Sequence, residues 1–553
     1  MLPLCRWPLA ACGTSLLTII ALLLGASAPL AAQAVTGAGA DATALPKGAM
    51  RWRVAGIWEG SDKIFTASGA QPMYAGIATG ALGTARLPQL SAAEQAIRTL
   101  SGLTTFSLSL GPLESTADTR QSITPLSLEL GVTPRLSVGV VVPYIESRDN
   151  ALLVLNRAGV GATVGQNPAY SATAGSAARS SNGALLRQLA QSRTQLASEI
   201  ARCAPASATG CDAIRADPSG AQQLVNQALS TQNAIVTIYG DSVRGGAPVV
   251  PISNSATQAA INALIGSMRT AFNGFGVTTL TEGVLPASAT IVNGPGAIAR
   301  IANDTAYGLD YSTLGGTRRA GIGDIDLTAS YLWLNTLGER PAQWLAATRF
   351  GVRSQFTAGW RFGTAGADRP HVAFDVPIGD GANALLARST TDVVFNRFLW
   401  MSGTLRIVQP LGDRAVIRRP LLVDSMLFVP STIEPADRSL GRRVDLEVAP
   451  RVMLGRFFGL SGGYLYRRSD ADRYTFSASD SLTAGRFAVN ARTYQAYMLG
   501  ATFSTLSSYA RGRSKWPVEV LYVHVAPITG TGSVAATSSD RLELRVYTGF
   551  PRR

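Results

Sequence analysis

Apolar residues recur at every second position in many short stretches of this chain. Leu126, Leu128 and Leu130 are separated by Ser127 and Glu129, and Leu136, Val138, Val140, Val142 and Tyr144 resume the period after Gly131-Val132-Thr133-Pro134-Arg135. Period two is the strand pattern, and a Gly/Pro break between two such runs predicts a hairpin. Residues 50–59 set Trp52, Val54 and Trp58 on one side, and residues 103–110 do the same with Phe106, Leu108 and Leu110. In 321–335, Ile325, Leu327, Ala329, Tyr331 and Trp333 oppose Asp324, Asp326, Thr328 and Ser330. Further alternating runs occupy 346–362, 390–409, 444–466, 493–506, 517–525 and 541–550. The last of them sets Leu542, Leu544, Val546 and Phe550 against Arg541, Glu543, Arg545 and Tyr547.

Such segments, about ten residues long with one apolar side, build either a soluble sandwich or a membrane barrel. Composition separates the two. Only 15% of the 553 residues are charged, against about 25% in soluble domains. Mean hydropathy is +0.16. The chain opens with one cation, Arg6, then the apolar run Ser15–Leu24 and the small-residue site Ala32-Gln33-Ala34. That is the pattern of a secretory signal peptide, residues 1–34. Beyond it no apolar run reaches the 18 residues of a membrane helix. An exported, apolar, strand-rich chain without a spanning helix predicts an all-β, transmembrane antiparallel barrel in the bacterial outer membrane, because only helices and closed barrels satisfy every backbone group in lipid. Tyr144, Tyr331, Trp333, Tyr464 and Tyr466 near segment ends suit its interfacial girdles.

Connection lengths give a topology. Short links at 131–135, 336–342, 396–398, 455–456 and 507–514 alternate with long ones at 148–320, 363–386, 411–440, 469–491 and 526–539. Barrels keep short turns in the periplasm and long loops outside. Strand 122–131 therefore runs inward, and the last strand ends in the periplasm. Eleven strands follow from there, and 103–111 as an outward strand before them makes twelve; counting 51–59 as well makes fourteen. Twelve is preferred. The expected organisation is a first segment with the opening strands (35–147), an external insertion (148–320) and the remaining strands (321–553).

The insertion reads as helical. Leu185, Leu186, Leu189, Leu196 and Ile200 lie at helical spacing, as do Ile261, Leu264, Ile265, Met268 and Phe272 after the candidate N-cap Ser255. Leu224, Ala228 and Leu229 suggest a shorter third helix. Cys203 and Cys211 lie in an exported chain and are expected to pair, tying the end of the first helix. The whole predicts a small cap on the external mouth.

The net charge of +14 is carried by scattered Arg, with Lys only at 47, 63 and 515. No run or aromatic platform accompanies it, so anionic lipid head groups are the expected partner and nucleic acid is not. With two His in the chain, no metal or cofactor site is expected. Gly459-Leu460-Ser461-Gly462-Gly463 matches G-x-S-x-G but lies within an alternating strand rather than at a strand-to-helix turn, and no enzyme is expected. The chemistry lies instead on the polar faces. Glu129, Asp324, Asp326, Asp445, Glu447, Arg451, Arg541, Glu543 and Arg545 are the candidates to line a lumen, either pairing across it or bordering a wet path.

Residues 130–140 (Leu-Gly-Val-Thr-Pro-Arg-Leu-Ser-Val-Gly-Val) with Val142-Pro143-Tyr144, then Gly321-Ile322-Gly323-Asp324-Ile325 and Pro377-Ile378-Gly379-Asp380-Gly381, resemble the phenol-degradation meta-pathway family of outer-membrane proteins. The resemblance covers about residues 103–147 and 321–550, and the helical insertion departs from it. It implies a transporter-like barrel for passive uptake of small solutes, apolar or aromatic ones included, and no catalytic residues. The other reading left open is a structural or adhesion platform with the helical cap as its recognition surface.

Overall fold

A computed structural model describes residues 41–551, apart from 289, 305, 306, 308, 310, 313, 314, 339–349, 367, 368, 397, 421–430, 456 and 477–485. The expected signal peptide lies outside the described residues. Twelve antiparallel strands close a ring: β1 (Met50–Ser61), β2 (Thr119–Gly131), β3 (Leu136–Asp149), β4 (Thr317–Ile322 continuing as Ile325–Asn335), β5 (Gly351–Phe362), β6 (Ala384–Val394), β7 (Leu399–Pro410), β8 (Arg443–Leu454), β9 (Phe458–Ser469), β10 (Arg492–Ser504), β11 (Val518–Thr531) and β12 (Ser538–Thr548). Each pairs with its sequence neighbour, and β12 returns to β1, Met50 opposite Thr548 and Gly60 opposite Ser538. Closure leaves no edge strand to face lipid.

The alternation explains the wall. On β1, Trp52, Val54 and Trp58 point outward and are about half exposed, while Ala55 and Ile57 are buried inside. On β2, Leu126 points outward and Ile123 and Glu129 inward. The exposed outer face carries Tyr144, Tyr331, Trp333, Leu385, Leu446, Tyr464, Leu499, Leu542 and Leu544. Soluble proteins do not leave such a continuous apolar belt in water. The protein is an outer-membrane β-barrel. No helix among the described residues is long and apolar enough to cross a membrane.

The count of twelve holds, but its first member differs. The outward strand before β2 is 50–61, and residues 103–111 are not in the wall. Phe106, Leu108 and Leu110 are buried in the cap, where the extended chain bonds Leu82 through Leu110 N–H to the Leu82 carbonyl at 2.9 Å. An extended segment with one apolar side serves a cap core as readily as lipid.

Residues 62–118 therefore form a further external loop, and the cap is built from two insertions, not one. The helix α1 (Ser91–Ser101) of this loop packs against α3 (Pro218–Tyr239) and α4 (Ala256–Gly274) of the second, with α2 (Gly175–Arg202) against α3. One apolar core joins Ile97 and Leu100 of α1 to Leu189 and Leu196 of α2, Ile235 and Ile238 of α3, and Ile261 and Phe272 of α4. Ser255 caps α4, its hydroxyl accepting from Gln258 N–H at 3.1 Å. The third helix is 22 residues long rather than short; Asp217 and Pro218 start it, and its exposed Gln and Asn positions dilute the apolar pattern. Cys203 and Cys211 are bonded, their Cα atoms 5.5 Å apart, at the end of α2 as expected. The last external link is short, 532–537, because β11 reaches Thr531.

Candidate functional site: the barrel lumen

Inward positions of the wall carry guanidinium and carboxylate groups in shared sets. Arg51 of β1 lies 2.5 Å from Glu129 of β2, Arg53 lies 3.8 Å from the same carboxylate, and the Ser137 hydroxyl of β3 donates to it at 2.6 Å. Arg353 donates to Asp392 at 2.7 Å, and Ser402 donates to the other oxygen at 2.6 Å. Arg361 forks onto Asp326 at 2.7 and 2.8 Å. Arg406 and Arg467 converge on Asp445 at 3.1 and 3.0 Å. Arg541 and Arg545 flank Glu543, and Arg545 also lies 3.6 Å from Glu519. Arg–carboxylate forks are strong and directional, so the inner wall is electrostatically knitted across neighbouring strands.

Two segments enter this space. The loop after β5, residues 363–383, folds inward. Its Ala365 and Ile378 pack with Ile57, Ile123, Val141 and Ile145 on the β1–β3 side. Asp324, at the break within β4, holds the loop at both ends, accepting from Ala365 N–H at 3.0 Å and Asp380 N–H at 2.8 Å. Asp380 in turn pairs with Arg443 of β8. A Cβ on Gly379 would meet Ala365 Cβ at 2.4 Å, so the approach requires glycine. Further out the same loop gives Phe374 to the cap core, its ring tilted against Tyr74 with centroids 4.7 Å apart. The loop thus joins cap to lumen.

The second segment is 41–49, before β1. Ala42 N–H donates to Asp392 of β6 at 2.9 Å, and Asp41 lies 4.0 Å from Arg545 of β12. Strands β6 and β12 are six apart in a ring of twelve, so the segment crosses the lumen at its periplasmic end. Leu45 is fully buried against Leu506, Ala510, Tyr547 and Phe550. Gly131 makes room, since a Cβ there would lie 2.1 Å from the Pro46 carbonyl oxygen.

Against the inner wall, bordered by β7–β12 and by Ile57 and Glu59 of β1, lies a cavity of about 60 Å³. Apolar Leu465, Met498, Val523 and Val525 line it beside Arg406, Arg467, Arg541, Glu59 and Glu447, with Val523 directly opposite Arg541 and Leu465 opposite Glu447 on neighbouring strands.

All nine residues singled out in the sequence point to the inside of the wall or, for Asp324, anchor the inward loop; Glu447 and Arg541 border the cavity. Glu129, Asp324, Asp445, Glu447, Arg541, Glu543 and Arg545 are buried, and Arg451 is half-buried. Sequence reasoning missed their partners Arg51, Arg53, Arg361, Arg406 and Arg467, and the separate Arg353–Asp392 pair, all at the inward phase of alternating strands. It also missed the crossing segment 41–49, whose residues have no period. Ser461 of the G-x-S-x-G match faces inward, whereas His524 bonds Asp540 at 2.9 Å on the outward phase beside exposed Tyr522 and Leu499. The wall separates them.

No family model matches the chain, and no curated protein matches it. Among solved structures, an outer-membrane channel from Pseudomonas putida F1 is 8% identical, covers 92% of this chain and 98% of its own, with a TM-score of 0.40. The Ralstonia pickettii toluene transporter is 8% identical over 91% of this chain and 89% of its own, with a TM-score of 0.26. A Pseudomonas aeruginosa FadL homologue is 10% identical over 91% of each chain, with a TM-score of 0.25.

Proposed function

We propose that this protein is a passive channel of the outer membrane for small solutes, with its path along the β7–β12 side of the lumen. The observation that carries the reading is the inner wall itself. A barrel used only as a platform could fill its interior with apolar side chains, since replacing buried ion pairs by packed apolar groups is commonly neutral or stabilising. This interior instead keeps shared Arg–carboxylate sets, some of them bordering a cavity of about 60 Å³. Charged walls suit a hydrated path.

The resemblance to the phenol-degradation family pointed to apolar or aromatic solutes. Leu465, Met498, Val523 and Val525 put apolar contacts for such solutes on the inner wall beside its guanidiniums. The test is conductance of the purified protein in planar bilayers, measured on the full chain and on a variant whose 41–46 segment is replaced by Gly and Ser. Small discrete steps that grow in the variant are expected. Silence from both, in protein that inserts, would overturn the channel and favour the platform.

A further inference from the structure

Three arginines stand in one row on the outside of the barrel, at its external end. Arg120 of β2 is the direct register partner of Arg148 of β3, and Arg148 is in turn the partner of Arg318 of β4. All three take the outward phase of their strands, the phase of Leu126, Tyr144 and Ile322, and all three are exposed. Neighbouring strands lie about 4.8 Å apart, so the three side chains leave the wall within a span of about 10 Å. Like charges directly opposite one another destabilise a sheet. The nearby anions offset the row only at its ends. Asp118 lies 3.0 Å from Arg120, and Glu146 lies 2.5 Å from Arg318. Arg148, in the middle, has no carboxylate partner among the described residues.

The level of the row matters as much as its charge. Trp58 of β1 faces Ser122, one outward position further into the wall than Arg120, and Tyr144 lies two outward positions further in than Arg148. Outward aromatic residues mark the membrane interface, so the guanidiniums just beyond them stand among the head groups. We propose that Arg120, Arg148 and Arg318 bind the phosphate of a glycolipid in the outer leaflet, its acyl chains lying along Leu126, Tyr144 and Ile322. A phosphate accepts from several guanidiniums at once, and it removes the repulsion that the row otherwise carries. Free phosphate meets the same donors but gains nothing from the apolar belt beneath them. The site lies outside the lumen, and its occupation does not depend on whether the barrel conducts.

The experiment is thermal unfolding of the full-length protein, followed by heat-modifiable migration, in phosphatidylcholine vesicles at low salt with increasing diphosphoryl lipid A. A ligand that binds the folded barrel raises the midpoint. Replacing all three arginines by Gln should raise the lipid A concentration for half of this shift by about tenfold or more, a difference of about 1.4 kcal/mol. Arg148→Gln alone should give an intermediate loss. In vesicles without lipid A both variants should unfold at or above the parent's midpoint, because the like-charge contact is relieved. Arg157→Gln, an exposed cation of the cap paired with Glu114, should respond to lipid A as the parent does. Four outcomes overturn the proposal: a triple variant that responds like the parent, an Arg157→Gln loss as large as that of Arg148→Gln, an equal shift from dephosphorylated lipid A, or the same shift from inorganic phosphate alone. A lower midpoint of the variants in plain vesicles would assign the row a structural role and overturn it as well.

Discussion

Glu129 shows what a single inward residue does. Its carboxylate serves Arg51 and Arg53 of β1 and Ser137 of β3, the strands on either side of its own. Glu129→Gln leaves two guanidiniums facing each other. Removing one partner of a buried charged set costs about 3–5 kcal/mol, and the partly wet lumen should place the loss toward the lower end of that range. Urea unfolding of the refolded barrel in lipid vesicles measures it. Reversal potentials in a salt gradient should shift toward anions, and an unchanged reversal potential would mean that this set lies off the ion path. On the other face of the same strand the physics changes. Leu126 faces outward and is half exposed on the wall, so Leu126→Arg should cost about 2–4 kcal/mol of insertion stability in the membrane. Ser127→Arg, on the lumen phase, should cost less. The facing of both was legible in the sequence, because lipid on one side and water and charge on the other force the period. The partners of Glu129 were less legible. Arg51 and Arg53 sit at the correct phase beside Trp52 and Val54, but nothing in a period says which strand lies next door, and residues 103–111 were expected in that place.

Two elements fill the lumen. One carboxylate, Asp324, bonds both ends of the 363–383 loop, which Asp380–Arg443 and Asp375–Arg319 pairs also tie to the wall. Asp324→Ala removes both acceptors and leaves the two backbone donors to water, so the loop should detach from the β4 break while the wall stays paired. Limited proteolysis of intact protein in vesicles should show new cleavage between 364 and 383 with unchanged heat modifiability; no new cleavage would show that the apolar contacts of Ile378 and the Asp380–Arg443 and Asp375–Arg319 pairs suffice to hold the loop. The segment 41–49 crosses the opposite end of the lumen. Its replacement by Gly and Ser should enlarge single-channel steps, as argued above from the Ala42–Asp392 and Asp41–Arg545 contacts. The two segments differed in legibility. Gly321-Ile322-Gly323-Asp324-Ile325 and Pro377-Ile378-Gly379-Asp380-Gly381 stood out as motifs before any contact between them was known. Residues 41–49 offered only Pro46 and Gly48 as a turn. Residues 103–111 misled, since the alternation of Phe106, Leu108 and Leu110 is real but faces helices rather than lipid.

At the scale of the molecule, the cap decides how the chain can be cut. Its helices were legible from their 3.6-residue spacing, but the joint origin of its core was not, because the partner of an amphipathic face is not written in that face. Opening the Cys203–Cys211 bond by substituting both with Ser should loosen the end of α2 by about 2–3 kcal/mol, the value expected for so short a closed loop, and leave the barrel intact. Deletion is a sharper test of the architecture. Removing residues 155–310 alone takes away α2, α3 and α4 but leaves α1, whose buried Ala93, Ile97 and Leu100 then face water together with Leu108 and Leu110. That variant should be protease-sensitive within 62–118 and prone to aggregate. Removing 63–117 together with 151–315, each replaced by a short Gly/Ser link, takes the whole core at once and should give a barrel that inserts cleanly, because every wall strand still pairs with its neighbours. Heat-modifiable migration and trypsin digestion of both variants in vesicles distinguish them. A single deletion as clean as the double one would mean that the 62–118 lobe folds without the helices it packs against.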